Sequence, residues 1–159
     1  DKDAVVASML LTEMAAYYKL RHIDLRDALD RLYERYGCFR EATDSITMEG
    51  LDGSDKMARL MDSPRAAPPA SLGGEAIREI RDYQLRTVRE LDTGKQTDTG
   101  LPPSNVLYFT TTTGNVIVLR PSGTEPKLKI YYLLRGESWE GIDHTLSACR
   151  ADIQTLVKQ

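Results

Sequence analysis

The chain has 159 residues, 41% of them hydrophobic, enough for one compact core or for one small domain and part of another. Its formal net charge of -3 and isoelectric point near 5.4 come from intermingled acids and bases, and the lack of any basic tract argues against nucleic acid as a partner. The longest apolar run, AVVASMLL, falls far short of the roughly 20 residues that span a bilayer and follows no basic leader, so a soluble, unexported chain with no membrane partner is expected.

The first section reads as two helices. From Ala4 to Leu20 apolar residues occupy nearly every side, with Val6, Leu10, Met14 and Tyr17 in one row and Asp3 placed as the N-cap, a pattern that calls for burial in a parent protein. Leu25, Ala28, Leu29, Leu32, Tyr33 and Tyr36 follow the i, i+3, i+4, i+7 rule, with Asp24 to cap the start and Gly37 to end the helix. Helical periodicity so close to the opening DKDAVV gives the expectation of a fragment of something longer. Cys38 and Cys149 are the only cysteines and form no C-x-x-C pattern, which suits a reducing cytoplasm.

In the middle, CFREATDSITME has strand-like stretches, and GSDKMARLMDSP puts Met57, Leu60 and Met61 on one helical face before Pro64, which should stop the helix. Asp52 to Asp55, in DGSD, favour helix N-capping over metal binding because a third carboxylate is lacking. RAAPPASLGG reads as a connector and LDTGKQTDTGLPPSN as a polar loop. EAIREIRDYQ, between them, suits a helix or an irregular strand equally well.

The last section is the most legible. Val106 to Thr112 and Asn115 to Arg120 are β-rich runs joined at a Thr113-Gly114 turn. Leu128, Ile130, Tyr132 and Leu134 then alternate with Lys127, Lys129, Tyr131 and Leu133, a period of two that makes a strand with both lysines opposite Leu128 and Ile130. A closing helix has the seam Trp139, Ile142, Leu146, Cys149, Ile153 and Leu156, with Ser138 as cap and Trp139 as anchor to the sheet. Cys149 reads as core, and His22 and His144 have no partner at ligand or triad spacing. Strands with helices packed on one face define an α+β module.

Between the last two strands lies RPSGTEPK. Arg120 offers a planar fork for two phosphate oxygens, Ser122 and Thr124 add hydroxyl donors, Gly123 permits close backbone approach, and Pro121 and Pro126 restrict the loop. Lys127 and Lys129 keep the region positive. An ordinary hairpin turn uses Pro, Ser and Gly as well, so the residues by themselves leave both readings open.

RPSGTEPKLKIYY resembles the phosphate-binding loop in the C-terminal domain of the α-D-phosphohexomutases, the family of phosphoglucomutase and phosphomannomutase. The similarity runs over the whole chain, with residues 1–37 resembling the helical end of the third domain and residues 38–159 the fourth. It implies an antiparallel sheet with packed helices, which turns EAIREIRDYQ toward strand. It also implies that Arg120, Ser122, Gly123 and Thr124 hold the phosphate that is not being transferred, with Lys129 just past the loop as a second basic contact and Lys2 as a further contact or a frayed surface lysine. The family's reaction moves a phosphoryl group between the 1- and 6-positions of a hexose through a phosphoserine and a hexose 1,6-bisphosphate, with Mg2+. A phosphosugar substrate and the remaining domains of a parent enzyme are thus the implied partners. No Ser-His-Asn-Pro loop, Asp-x-Asp-x-Asp metal loop or sugar-reading Glu-Glu-Ser-x-Gly loop occurs in the sequence, so no catalytic or metal residue is assigned and the isolated chain is expected to be inactive. Phosphomannose and phosphopentose are alternatives to phosphoglucose, and a non-catalytic anion-binding module is the alternative from another class.

Overall fold

The computed structural model describes residues 3–48, 53–123, 125 and 127–158. The chain divides into two compact units, Asp1–Cys38 and Phe39–Gln159.

The first unit holds α1 (Ala4–Lys19) and α2 (Leu25–Tyr36). Both caps read from the sequence form: the Val6 N–H donates to Asp3 Oδ1 at 2.9 Å and the Asp27 N–H to Asp24 Oδ1 at 2.8 Å, each satisfying a donor that the first helical turn leaves over. Gly37, at φ +88°, ends α2 in a conformation a Cβ disfavours. No residue of α1 is buried within this chain, and Val5, Met9, Leu10 and Leu11 are well exposed.

The second unit is built on an eight-stranded sheet. Its strands are β1 (Cys38–Thr47), β2 (Ser71–Leu72), β3 (Glu75–Asp82), β4 (Thr87–Glu90), β5 (Gln96–Asp98), β6 (Leu107–Thr111), β7 (Val116–Pro121) and β8 (Lys127–Gly136). The order is β1-β8-β7-β6-β3-β4-β5, with β2 paired to β3 alongside. The pairings from β2 to β8 are antiparallel. EAIREIRD is therefore strand, as the resemblance implies, and its irregular pattern has a cause in a register shift between Ile77 and Glu79.

Two helices, α3 (Gly53–Ala66) and α4 (Trp139–Lys158), complete the unit, α4 packing on β8 and β2 and α3 on α4. Period-two alternation sends Leu107, Phe109, Ile117, Leu119, Leu128, Ile130 and Tyr132 to one face, all of them buried. They meet Ile142, Cys149 and Ile153 of α4, while Met57, Leu60 and Met61 of α3 fill the side. The opposite face, bearing Arg120, Lys129, Val118 and Tyr131, stays half-exposed to exposed.

Three expectations are corrected. Pro64 lies inside α3, because the next residue holds the final turn: Arg65 donates to Asp82 Oδ2 at 2.8 Å, to Asp62 Oδ1 at 2.9 Å and to Asn105 Oδ1 at 2.7 Å. The buried Asp82 also accepts the Gln84 and Leu85 N–H groups, so this corner ties α3, β3 and the approach to β6 together. Trp139 is 41% exposed, with Arg40 of β1 over its ring at 5.5 Å, and Ile142, three residues further along the helix, is the buried one. The connector and the polar loop contain β2 and β5, two and three residues long, which exist by pairing with neighbours and not by pattern of their own. Asp52 lies outside the described residues; Asp55 stands in the first turn of α3.

Candidate functional site

The site grows from the connection between β7 and β8. Antiparallel pairing puts Leu119 opposite Ile130 and Pro121 opposite Leu128, anchoring both strand ends in the core, and Arg120 directly opposite Lys129 on the other face. Side chains so placed have Cβ atoms about 4.5 to 5.5 Å apart. The loop between is closed by backbone bonds: the Ser122 N–H donates to the Lys127 carbonyl at 2.8 Å and the Lys127 N–H to the Glu125 carbonyl at 2.7 Å. Lys127 shares the face of Lys129 and Arg120, two residues along the strand, so three cations leave one surface at one end of the sheet.

Two like charges directly opposite each other in a sheet repel, at a cost of a few tenths to about 1 kcal/mol. Among the described residues no carboxylate pairs with Arg120, Lys127 or Lys129 to relieve this. Arg120 and Lys129 are both exposed. An anion above the pair offsets the repulsion and gains two charge-assisted donors.

Gly123 is the second feature. Its φ is not positive, and a Cβ built on it meets nothing within 4 Å. Neither backbone conformation nor packing inside the chain requires glycine here, in contrast to Gly73, at φ +65°, whose Cβ would stand 2.5 Å from Cys149 Sγ, and Gly114, at φ +86°, whose Cβ would stand 2.6 Å from an Arg135 nitrogen. Ser122 is half-exposed beside it. Thr124 and Lys2, also candidates from the sequence, lie outside the described residues.

The remaining candidates sit apart from this loop. Cys149 is fully buried in the α4 seam, and burial pushes its thiol up to about 11. Tyr132 is buried with it, its hydroxyl held well above the usual phenol range chiefly by burial and then by the Asp44 carboxylate. Asp44 in turn accepts two bonds from Arg150, at 2.9 and 2.8 Å. Among the described residues no three His, Cys, Asp or Glu side chains come together as a metal site, and no helix is long and apolar enough to cross a membrane. The signal that places Tyr131 and Val118 on the same open face as Arg120 and Lys129 was present in the sequence as period two, but only the β7–β8 register makes them neighbours.

The fold defines an α+β domain, an antiparallel sheet with helices on one face and a cationic β-hairpin loop at one end. Residues 70–133 match the family model for the phosphoglucomutase/phosphomannomutase C-terminal domain. The phosphoglucomutase of Staphylococcus aureus strain bovine RF122 / ET3-1 is 35% identical over 148 residues, and that of strain MRSA252 is 34% identical over the same length. In both cases the match covers 93% of this chain and 27% of the relative, so the chain spans about a quarter of the length of these relatives. Among solved structures, the open form of the exocytosis-sensitive phosphoprotein pp63/parafusin, a phosphoglucomutase from Paramecium, shares the fold with a TM-score of 0.50 at 16% identity, over 85% of this chain and 22% of that one. Residues 70–133 thus carry a phosphoglucomutase/phosphomannomutase C-terminal domain, and the similarity to phosphoglucomutases extends over most of the chain.

Proposed function

We propose that this chain is the phosphate-gripping part of a phosphoglucomutase-type enzyme, in which Arg120, Ser122, Gly123 and Thr124, with Lys129, hold the phosphate of a hexose phosphate that is not being transferred. The observation that carries the proposal is the cross-strand pair of Arg120 and Lys129 at the mouth of a closed loop, two cations with no carboxylate partner among the described residues. Arg120 supplies the planar two-oxygen contact and Lys129 a point charge. Ser122 and Thr124 supply hydroxyls, and Gly123 leaves the space that the ligand enters. Because β7 and β8 fix both ends of the loop, little ordering entropy is lost when the phosphate arrives.

The grip suits a mutase reaction. A sugar that must present first one end and then the other to a phosphoserine needs its far phosphate held in both orientations. A bidentate arginine among rotatable hydroxyls tolerates that reversal, because it recognises phosphate and not the sugar. The bisphosphate intermediate, the cytoplasmic setting and the other domains of a parent enzyme are part of the same proposal. Lys2 is proposed as a further contact to the sugar phosphate. Mg2+ is the metal the family's reaction uses, but among the described residues no three His, Cys, Asp or Glu side chains come together to hold it. With no phosphoserine loop or metal loop in the sequence, the chain by itself is expected to turn over no glucose 1-phosphate.

An NMR titration with inorganic phosphate tests the grip. Binding in the millimolar range is expected from a few charge-assisted contacts without a sugar, with the largest amide shifts between Arg120 and Lys127. Arg120→Ala weakens binding by roughly 10-fold or more while leaving the melting temperature nearly unchanged, since the side chain is exposed. Shifts centred on Asp52 to Asp55 or on Lys2, or an Arg120→Ala variant that binds as well as the parent chain, overturn the assignment.

A further inference from the structure

The face of the sheet opposite α3 and α4 continues beyond the cationic loop, and the strand registers fix what lies there. One step along β7 and β8 from Arg120 and Lys129, Val118 stands opposite Tyr131, and one step further Val116 stands opposite Leu133. Tyr108 of β6 is the cross-strand partner of Val118, and Arg81 of β3 that of Tyr108. Arg81, Tyr108, Val118 and Tyr131 thus form one row across four strands. Its two ends differ. The Arg81 guanidinium covers the Tyr108 ring at 5.3 Å and is itself tied to Glu79 Oε1 at 2.7 Å, so that end is closed. Val118 and Tyr131 are half-exposed, and among the described residues the Tyr131 hydroxyl has no hydrogen-bond partner.

The direction in which the cations point decides what this surface is for. Arg120, Lys127 and Lys129 leave the sheet on this face and not off its edge, so an anion held by them sits above the sheet at its loop end. A ligand attached to that anion either extends over the face or leaves it. The step from Arg120 to Val118 is about 7 Å along the strand, comparable to the reach of a pyranose ring joined through one ester oxygen. A sugar ring has an apolar C–H face and polar edges. An open aromatic ring beside a valine, with a free hydroxyl at its tip, matches both. No carboxylate of β7 or β8 projects from the first two steps of this face to repel a phosphorylated ligand.

We propose that Tyr131 and Val118 form the floor on which the sugar ring of the bound phosphosugar rests, Tyr131 being the residue that favours a hexose phosphate over bare phosphate. This rests on the phosphate reading of the loop, and the test separates the two. The probes are inorganic phosphate, glucose 6-phosphate and glucose, each titrated into this chain and followed by backbone amide shifts. Glucose 6-phosphate is expected to bind about 3- to 10-fold more tightly than inorganic phosphate, the range an aromatic contact contributes. It should add shifts at Val118, Tyr131 and Tyr108 to those of the loop. Tyr131→Ala removes the difference without changing inorganic phosphate binding, and Tyr131→Phe, which keeps the ring and the packing, retains most of it. Equal affinity for the two phosphates, with shifts confined to residues 120–127, overturns the floor while leaving the phosphate grip intact. Absence of loop shifts with either phosphate overturns both, and equal shifts on the face with glucose alone mean that the ring is held without the grip and likewise overturn the arrangement proposed.

Discussion

Gly123→Ala separates a ligand-facing glycine from a structural one. The new Cβ meets nothing within 4 Å and the backbone φ is not positive, so the folded chain accommodates it without strain. Alanine also restricts the unfolded chain more than glycine does, which favours the variant by up to about 1 kcal/mol. Stability should therefore be unchanged or slightly raised. Phosphate binding should not survive equally well, because the added methyl occupies the space through which an oxygen approaches the backbone. Losing one charge-assisted contact costs about 1.5 to 3 kcal/mol, or roughly 10- to 100-fold in affinity. Thermal denaturation and phosphate titration on the same sample give both numbers. A variant that binds phosphate as the parent does refutes the reasoning about the open space, and one that loses several degrees of melting temperature refutes the claim that the space is free inside the fold.

Gly73→Ala should behave in the opposite way, losing about 2 to 4 kcal/mol from left-handed strain and overpacking against Cys149 Sγ, with the packing part recovered in the Cys149→Ala background, as a double-mutant cycle in urea can measure. Arg65→Met leaves the buried Asp82 carboxylate without its cation and should cost about 3 kcal/mol or more, read from the shift in the urea midpoint. Because burial raises the Cys149 thiol from 9 to about 11, the folded state keeps its proton where the unfolded chain loses it. That stabilisation is complete below pH 9 and disappears as pH rises through about 11, an effect on the order of 3 kcal/mol, with Tyr132 acting in the same direction at higher pH. Stability measured from pH 8 to 11 should fall more steeply for the parent chain than for Cys149→Ala.

What the sequence determined by itself was set by local physics. Asp3, Asp24 and Ser138 cap helices because a side-chain oxygen reaches a neighbouring N–H wherever the helix begins, and the Ser138 Oγ duly accepts from Gly141 N at 3.2 Å. The alternation from Lys127 to Leu134 separated a buried face from a cationic one, since a strand has no other way to place successive residues. The residue chemistry of RPSGTEPK suited an anion loop and an ordinary hairpin turn alike, and it was the resemblance to the phosphohexomutases that favoured the first. Tertiary structure decided the rest. Pro64 stays helical because Asp82 and Asn105, distant in sequence, hold Arg65; β2 and β5 are strands because partners offer them hydrogen bonds; and Trp139 is left half outside because Ile142 reaches the core first. The pairing of Arg120 with Lys129, and of Val118 with Tyr131 beyond them, depends on the register of β7 against β8, which is set by where Leu119, Ile130, Ile117 and Tyr132 meet the α4 seam. A one-residue slip of β8 would turn Lys127 and Lys129 into the core and leave Arg120 without its cross-strand partner. The chemistry of the loop is thus local, but its geometry belongs to the sheet.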